Sequence, residues 1–305
     1  MITDFKGKTA VLTGAASGFG LECARLAAEQ GMHLVLVDVQ ADALAQTQQA
    51  LKTIAPTIDI MAKVVDVSNA EQMAQLAQDV QTHFGAPHFV FNNAGVASGG
   101  LIWENTLADW QWLLGVNLWG VIHGVRLFTP MMLQAAQRDP NWQGHIVNTA
   151  SMAGLVTPPN MGIYNVSKHA VVSLSESLYQ DLRLVTDQIG ASVLCPFFVP
   201  TGIDQSERNR PSDLQSSPPT RSQKISQAMS EKAVASGKVT AAQVAQSVMD
   251  AIRHDQFYIY SHPKALEAVA QRMQAIVSVT NPPDPFAARP EIGIQLRADL
   301  RQDRV

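Results

Sequence analysis

Only two cysteines, Cys23 and Cys195, occur in the 305 residues. They share no metal-ligand spacing and build no disulfide framework, which fits a reducing compartment. Each reads as a small buried hydrophobe rather than a nucleophile. Charge is scarce too: 16% of residues are Asp, Glu, Lys or Arg, the formal net charge is −4 and the pI is near 6.0. Without a basic excess or cluster, nucleic acid and acidic membrane surfaces are poor partners. No apolar run approaches the ~20 residues of a membrane span. The opening "MITDFKGKTAVLTG" breaks its apolar residues with Asp4, Lys6 and Lys8, unlike a secretory signal. His123, His145 and His169 have no ligand partner in sequence, so no metal is expected. The expectation is a cytoplasmic protein.

What the chain does have is apolar sequence, 46% of it. Seven short runs rich in β-branched residues punctuate it: "TAVLTG" (9–14), "HLVLVDV" (33–39), "IMAKVVDV" (60–67), "HFVFNNAG" (88–95), "GHIVNTAS" (144–151), "ASVLCPF" (191–197) and "FYIYSH" (257–262). Most are continuously apolar rather than alternating, as in parallel strands buried on both faces. Between them lie helical patterns. Ser68 and Glu71 suggest a capping box before Met73, Leu76, Ala77, Val80 and Phe84, with Gly85 as the stop. Thr106 and Asp109 suggest a second helix start, opening a long helix through "TLADWQWLLGVNLWGVIHGVRLF". Strand, helix, strand, repeated, means right-handed crossovers in one doubly wound α/β sheet.

"TGAASGFG" (13–20) falls where the first strand meets the first helix. Gly14, Gly18 and Gly20, with Ser17 and Phe19 between them, suit a tight turn, approach to a diphosphate and close helix–strand packing. The helix N-terminus then faces the phosphates. Asp38 closes the second strand, where a carboxylate accepts from a ribose 2′-hydroxyl and repels a 2′-phosphate. Neither Ser17 nor Val39 is a cation, so NAD is expected over NADP. In "GIYNVSKHA" (162–170), Tyr164 and Lys168 stand four apart, on one helix face. Using a tyrosine of pKa about 10 as a base near pH 7 costs roughly 4 kcal/mol, and a nearby ammonium lowers that pKa. Ser151 ends the fifth strand, Asn117 is a polar residue amid apolar helix neighbours, and "NNAG" (92–95) ends the fourth strand with small residues.

Together these motifs resemble the compact, single-domain short-chain dehydrogenase/reductase family, over about residues 5–262. The resemblance implies a Rossmann-like, mostly parallel seven-stranded sheet with helices on both faces. It implies that Tyr164 is the general acid/base, that Lys168 lowers its pKa and binds the nicotinamide ribose, and that Ser151 polarises the substrate oxygen. Asn117 matches the position that holds a relay water. Asp66 and Val67 match the adenine-binding pair, Asn93, Ala94 and Gly95 line the cofactor cleft, and Pro196, Val199 and Thr201 contact the nicotinamide carboxamide. It further suggests a homo-tetramer or homo-dimer built by the helices carrying Asn117 and Tyr164.

Two features depart from the family. Phe197 replaces a usual glycine in "PFFVPT" (196–201), which would narrow the pocket or reshape the turn. Residues 263–305 exceed the compact core; they cover the pocket or an interface, or form a packed helix with a loose tail, the preferred reading. Residues 204–230 begin polar and rich in Pro and Ser after a strand end, as either a lid or an ordinary loop. Candidate substrate contacts are Trp103, Met152, Met161, Phe197 and Phe198, with Leu155 and Val156, each equally readable as core. They form an apolar set without a charged anchor, pointing to a hydrophobic secondary alcohol or ketone. Trp110, Trp112 and Trp119 read as core or interface. The rivals are an NADP-preferring reductase, a non-catalytic NAD-binding sensor or scaffold, and an epimerase or dehydratase. The last usually carries a different glycine spacing and a larger C-terminal domain.

Overall fold

The computed structural model describes residues 2–215 and 218–301. Residues 216–217 of the expected loop and 302–305 of the extension lie outside them. Seven strands form one sheet: β1 (Thr9–Thr13), β2 (His33–Asp38), β3 (Ile60–Val64), β4 (Phe89–Asn92), β5 (Gly144–Thr149), β6 (Ile189–Cys195) and β7 (Tyr258–Tyr260). Their order is β3-β2-β1-β4-β5-β6-β7, and every neighbouring pair is parallel. The continuous apolar runs have a direct cause. Ala10 and Leu12 of β1 and Leu34 and Leu36 of β2 enter one core. Val11, Val35 and Val37, pointing the other way, enter the second. A strand clothed on both faces has no solvent side on which to place polar residues.

Helices α1 (Gly18–Glu29) and α8 (Ala241–His254) pack together on the first face, with Ala24, Ala27, Val244, Val248 and Ile252 buried. α2 (Ala41–Ile54) joins them through Leu44 and Leu51. The second face carries α3 (Ala70–Phe84), α5 (Gly120–Arg138) and α6 (Gly162–Val185), which bury Met73, Val80, Phe128, Met132 and Leu178. The chain winds outward through β2 and β3, then returns to place β4 on the opposite side of β1. That reversal opens a crevice at the carboxyl ends of β1 and β4, the usual ligand site of such sheets.

Three local expectations change. α3 is capped by Asn69, not Ser68: its Oδ1 accepts from the Glu71 and Gln72 amides, both at 3.0 Å. The Ser68 hydroxyl instead donates to Asp66 at 2.7 Å, so a turn at the end of β3 claims it first. The runs 60–67 and 257–262 pair over fewer residues, because each is an edge strand whose chain turns away early. The long helix is interrupted: α4 (Leu107–Leu114) and α5 are joined by a π-type turn, Gly115–Trp119. The Thr106–Asp109 capping box does form, with reciprocal bonds of 3.2 and 2.8 Å.

Residues 203–214 run as short 3₁₀ turns across the mouth of the crevice, followed by α7 (Arg221–Ala235). α9 (Leu266–Val277) leans Leu266 and Val269 on the cluster holding Met152 and Val171, and leaves Ile276 and Val277 exposed. α10 (Pro290–Arg301) buries Leu296 and meets α7.

Candidate active site

The cleft at the strand ends encloses a cavity of about 150 Å³ that opens broadly to solvent. Gly14, Ser17, Gly18, Phe19, Asp38, Asp66, Val67, Asn93, Ala94, Gly95, Tyr164, Lys168, Pro196 and Thr201, all expected from sequence, line it. Gly18 has φ +53, and a Cβ there would stand 3.0 Å from the Thr201 Cβ. A side chain on Gly20 would overlap the Gly14 carbonyl oxygen, so helix and turn can close only over glycine. These constraints keep backbone, not side chains, at the start of α1, where N–H groups and the helix dipole favour an anion. Asp38 is 9% exposed; its Oδ2 accepts from the Ala16 amide and its Oδ1 from the Gln40 amide, both at 3.0 Å. The carboxylate therefore sits fixed at the rim beyond the glycine turn. This donor and acceptor set fits a dinucleotide.

At the other end of the cleft, Tyr164 and Lys168 rise from the first turns of α6, with 8% and 2% exposure. The Lys168 Nζ donates to the Thr149 carbonyl at 2.9 Å and stands 5.7 Å from the Tyr164 ring centre. Burial pushes the Tyr164 hydroxyl up to about 12, and the neighbouring Ser151 hydroxyl pulls the other way. Burial pushes the Lys168 ammonium down to about 8. In the protein alone the Tyr164 pKa is therefore raised rather than lowered. Desolvation outweighs an ammonium that is itself spent on a backbone carbonyl. The two cysteines are both fully buried, and burial raises both thiols.

Ser151, Asn117 and Val199 are not among the residues lining the cleft. Ser151 Oγ caps a 3₁₀ turn by accepting from Ala153 at 3.1 Å, and donates to the Pro196 carbonyl at 3.4 Å. Asn117 is fully buried in the π-type turn. Its Oδ1 accepts from Val96 N at 2.8 Å, and its Nδ2 donates to Val96 O at 2.9 Å and Ser167 Oγ at 3.2 Å. The wider turn aims this amide inward and ties the chain after β4 to α6, a common use of such turns near sites. Val199 is packed in the first core.

None of the five candidate substrate residues lines this cleft. Trp103 is 69% exposed, Met152 is core, and Met161 packs with Tyr164 in a small cluster. Phe197, 45% exposed, stacks edge-on against Phe198 and His262. Its φ is not positive and its N–H donates to Ser261 Oγ at 2.9 Å, so the turn forms without a glycine and the ring does not narrow the cleft.

Sequence reasoning missed residues that do line the cleft: Trp112, Val96 and Val116, and, from the segment over its mouth, Ile203, Ser206 and Arg208. Trp112 was expected as core or interface; it is 2% exposed and still reaches the cleft wall. The covering segment is pinned. Arg210 donates to Asp109 at 2.7 Å, with side chains 4% and 1% exposed, and lies 4.9 Å above the Trp112 ring. Burial opposes ionisation of Asp109, but hydrogen bonds from Arg210 and Thr106 outweigh it and hold its carboxyl below the ordinary range. Ser206 Oγ accepts from the Ala97 amide at 2.9 Å, and Ser222 Oγ from Leu101 at 2.9 Å. No sequence pattern marks these pairings; the Pro- and Ser-rich composition of the segment was the only hint.

The short chain dehydrogenase family profile matches residues 8–212, about two thirds of the chain. The chain belongs to the short-chain dehydrogenase/reductase family. It is an oxidoreductase of that type. It is 32% identical, over 90% of its length and 95% of the relative's, to a CLA biosynthesis dehydrogenase/reductase of Lactiplantibacillus plantarum. A C alpha-dehydrogenase of Sphingobium sp. strain SYK-6 is 30% identical over 95% of this chain and 92% of its own. Among solved structures, a short-chain dehydrogenase/reductase from Burkholderia phymatum in complex with NAD superposes with TM-score 0.89. It shares 48% identity and covers 94% of this chain and 100% of its own. No helix among the described residues of this family member is long and apolar enough to cross a membrane.

Proposed function

We propose that this reductase transfers hydride between NAD(H) and a hydrophobic secondary alcohol or ketone, with Tyr164 as general acid/base. The observation that carries the reading is the placement of Tyr164 and Lys168 in the same cleft as the glycine turn and Asp38. Asp38, Asp66 and Val67 would hold the adenosine end and the glycine turn the diphosphate. Asn93–Gly95, Lys168, Pro196 and Thr201 would hold the nicotinamide end. When bound, the cofactor supplies the hydride acceptor or donor.

The chain's own task is the proton. A Tyr164 hydroxyl at about 12 is protonated at pH 7, ready to donate to the oxygen of a ketone as it is reduced. In the oxidative direction its proton must leave, and positive charge near the phenol, from Lys168, favours that. Ser151, whose hydroxyl already interacts with Tyr164, orients the substrate oxygen. The Asn117 side chain is fully engaged with Val96 and Ser167, which ties the segment after β4 to α6 beside Lys168. Val96, Trp112, Val116, Ile203 and Pro211 give the cleft an apolar wall, in keeping with an apolar substrate. Exposed Leu107, Trp119 and Val166, at 72%, 51% and 43%, suit a homo-oligomer built on α4–α6.

NADH absorbance with a panel of hydrophobic alcohols and ketones tests this. Tyr164→Phe is expected to cut turnover about 10²–10⁴-fold while NADH binding persists. Tight NADH binding with no turnover across a broad panel would favour a sensor instead.

A further inference from the structure

We propose that Arg208 closes over the ribosyl diphosphate of the dinucleotide and supplies a full positive charge there. The inference rests on the reading of the cleft as a dinucleotide site.

Of the residues lining the cleft, Lys168 and Arg208 are the two cations. Lys168 is buried at the Tyr164 end, bonded to Thr149. The glycine turn at the other end offers backbone N–H groups and a helix terminus equivalent to about half a charge, whereas a diphosphate carries two. Arg208 is placed to make up the difference. It comes from the 3₁₀ turn Ile203–Asn209 over the mouth, and its Nη1 donates to the Gly202 and Gln205 carbonyls at 3.0 and 2.6 Å. Its Nε faces Gln40 Oε1 at 3.5 Å.

Those neighbours locate the guanidinium. Gly202 follows Thr201, the residue packed against Gly18; Gln40 is bonded through its amide to Asp38. Arg208 therefore lies near both the residue beside Thr201 and the residue bonded to Asp38, the stretch of cleft where a diphosphate would pass into the adenosine ribose. Its Nη2 has no hydrogen-bond partner among the described residues, leaving two N–H donors for phosphate oxygens. The pinned Arg210 next door holds the turn, so the charge is positioned before the ligand arrives.

The competing role is purely local: Arg208 staples its own turn through Gly202 and Gln205. Fluorescence titration of the full chain with NADH, at low and moderate salt, separates the two. The proteins are the wild type, Arg208→Gln and Arg208→Lys, with NADPH in parallel and melting temperatures recorded. Arg208→Gln is expected to weaken NADH binding about ten- to thirty-fold and to flatten its salt dependence. Arg208→Lys, which keeps the charge, falls between, with melting temperatures unchanged. Equal NADH affinity in wild type and Arg208→Gln overturns the proposal. So does equal weakening in both variants with lowered melting temperatures, which marks a staple. A loss confined to NADPH overturns it as well, because the guanidinium would then read a 2′-phosphate. Wild-type protein that binds neither nucleotide overturns the dinucleotide reading itself, a result distinct from the other three.

Discussion

Replacing Lys168 with Met should stabilise the protein at neutral pH while abolishing its turnover. The ammonium is 2% exposed and burial moves its pKa from the ordinary 10.5 to about 8. That difference corresponds to about 3 kcal/mol against keeping the charge in the folded chain at pH 7. The hydrogen bond to Thr149, lost in the variant, returns about 1 kcal/mol of this. A net gain of about 2 kcal/mol remains, or roughly 4–8 °C in melting temperature. The pH dependence has a definite sign. Below pH 8 folded and unfolded chains both hold the proton and the penalty is complete. Between 8 and 10.5 the unfolded chain binds more protons, so raising the pH stabilises the wild type relative to the variant. The gap should shrink by about half by roughly pH 8.7, vanish at about pH 9.5 and reverse above it, where the neutral amine keeps the hydrogen bond that Met lacks. Paired melting curves of the two proteins without cofactor, from pH 7 upward, measure it. A gap that stays constant with pH, or a variant several kcal/mol less stable at pH 7, refutes a destabilising buried ammonium. A stabilised and inactive variant would mean that the charge is retained for chemistry against the interest of the fold.

Two further outcomes follow from the geometry. Asp109→Ala strands Arg210 in a nearly solvent-free site and removes the Asp109 half of the α4 capping box, which should cost about 3–5 kcal/mol; limited proteolysis should then cut within 203–214 faster, and an unchanged rate would show that the pair does not hold this segment down. Phe197→Gly should leave the NADH dissociation constant within about two-fold, since the ring lies off the cleft and the backbone has no positive φ; a ten-fold change would return Phe197 to the site.

The parts of the site legible from sequence are those built from local rules. The glycine turn, Asp38 at a strand end, and Tyr164 with Lys168 one helical turn apart each follow from a short stretch whose geometry its own element dictates. The same holds for the Thr106–Asp109 cap, three residues apart. The Ser68 cap failed for a local reason as well: two side chains competed for one helix start, and Asp66 took the serine. The apolar substrate set illustrates a different limit, since none of its five residues lines the cleft. Trp103, Met152, Met161, Phe197 and Phe198 follow strand ends as a pocket lining should, yet which way a loop side chain turns depends on what packs against it.

By itself, the sequence determined the parallel α/β layering, because strands buried on both faces must be apolar throughout, and it marked the end of the sheet where the cleft opens. Only the tertiary structure decided what covers that end. Arg210 meets Asp109 across 101 residues and Arg208 reaches Gln40 across 168, pairings that no periodicity encodes. Nor could sequence give the protonation of Tyr164 and Lys168, because desolvation, the dominant influence on both, exists only once the core around them has closed.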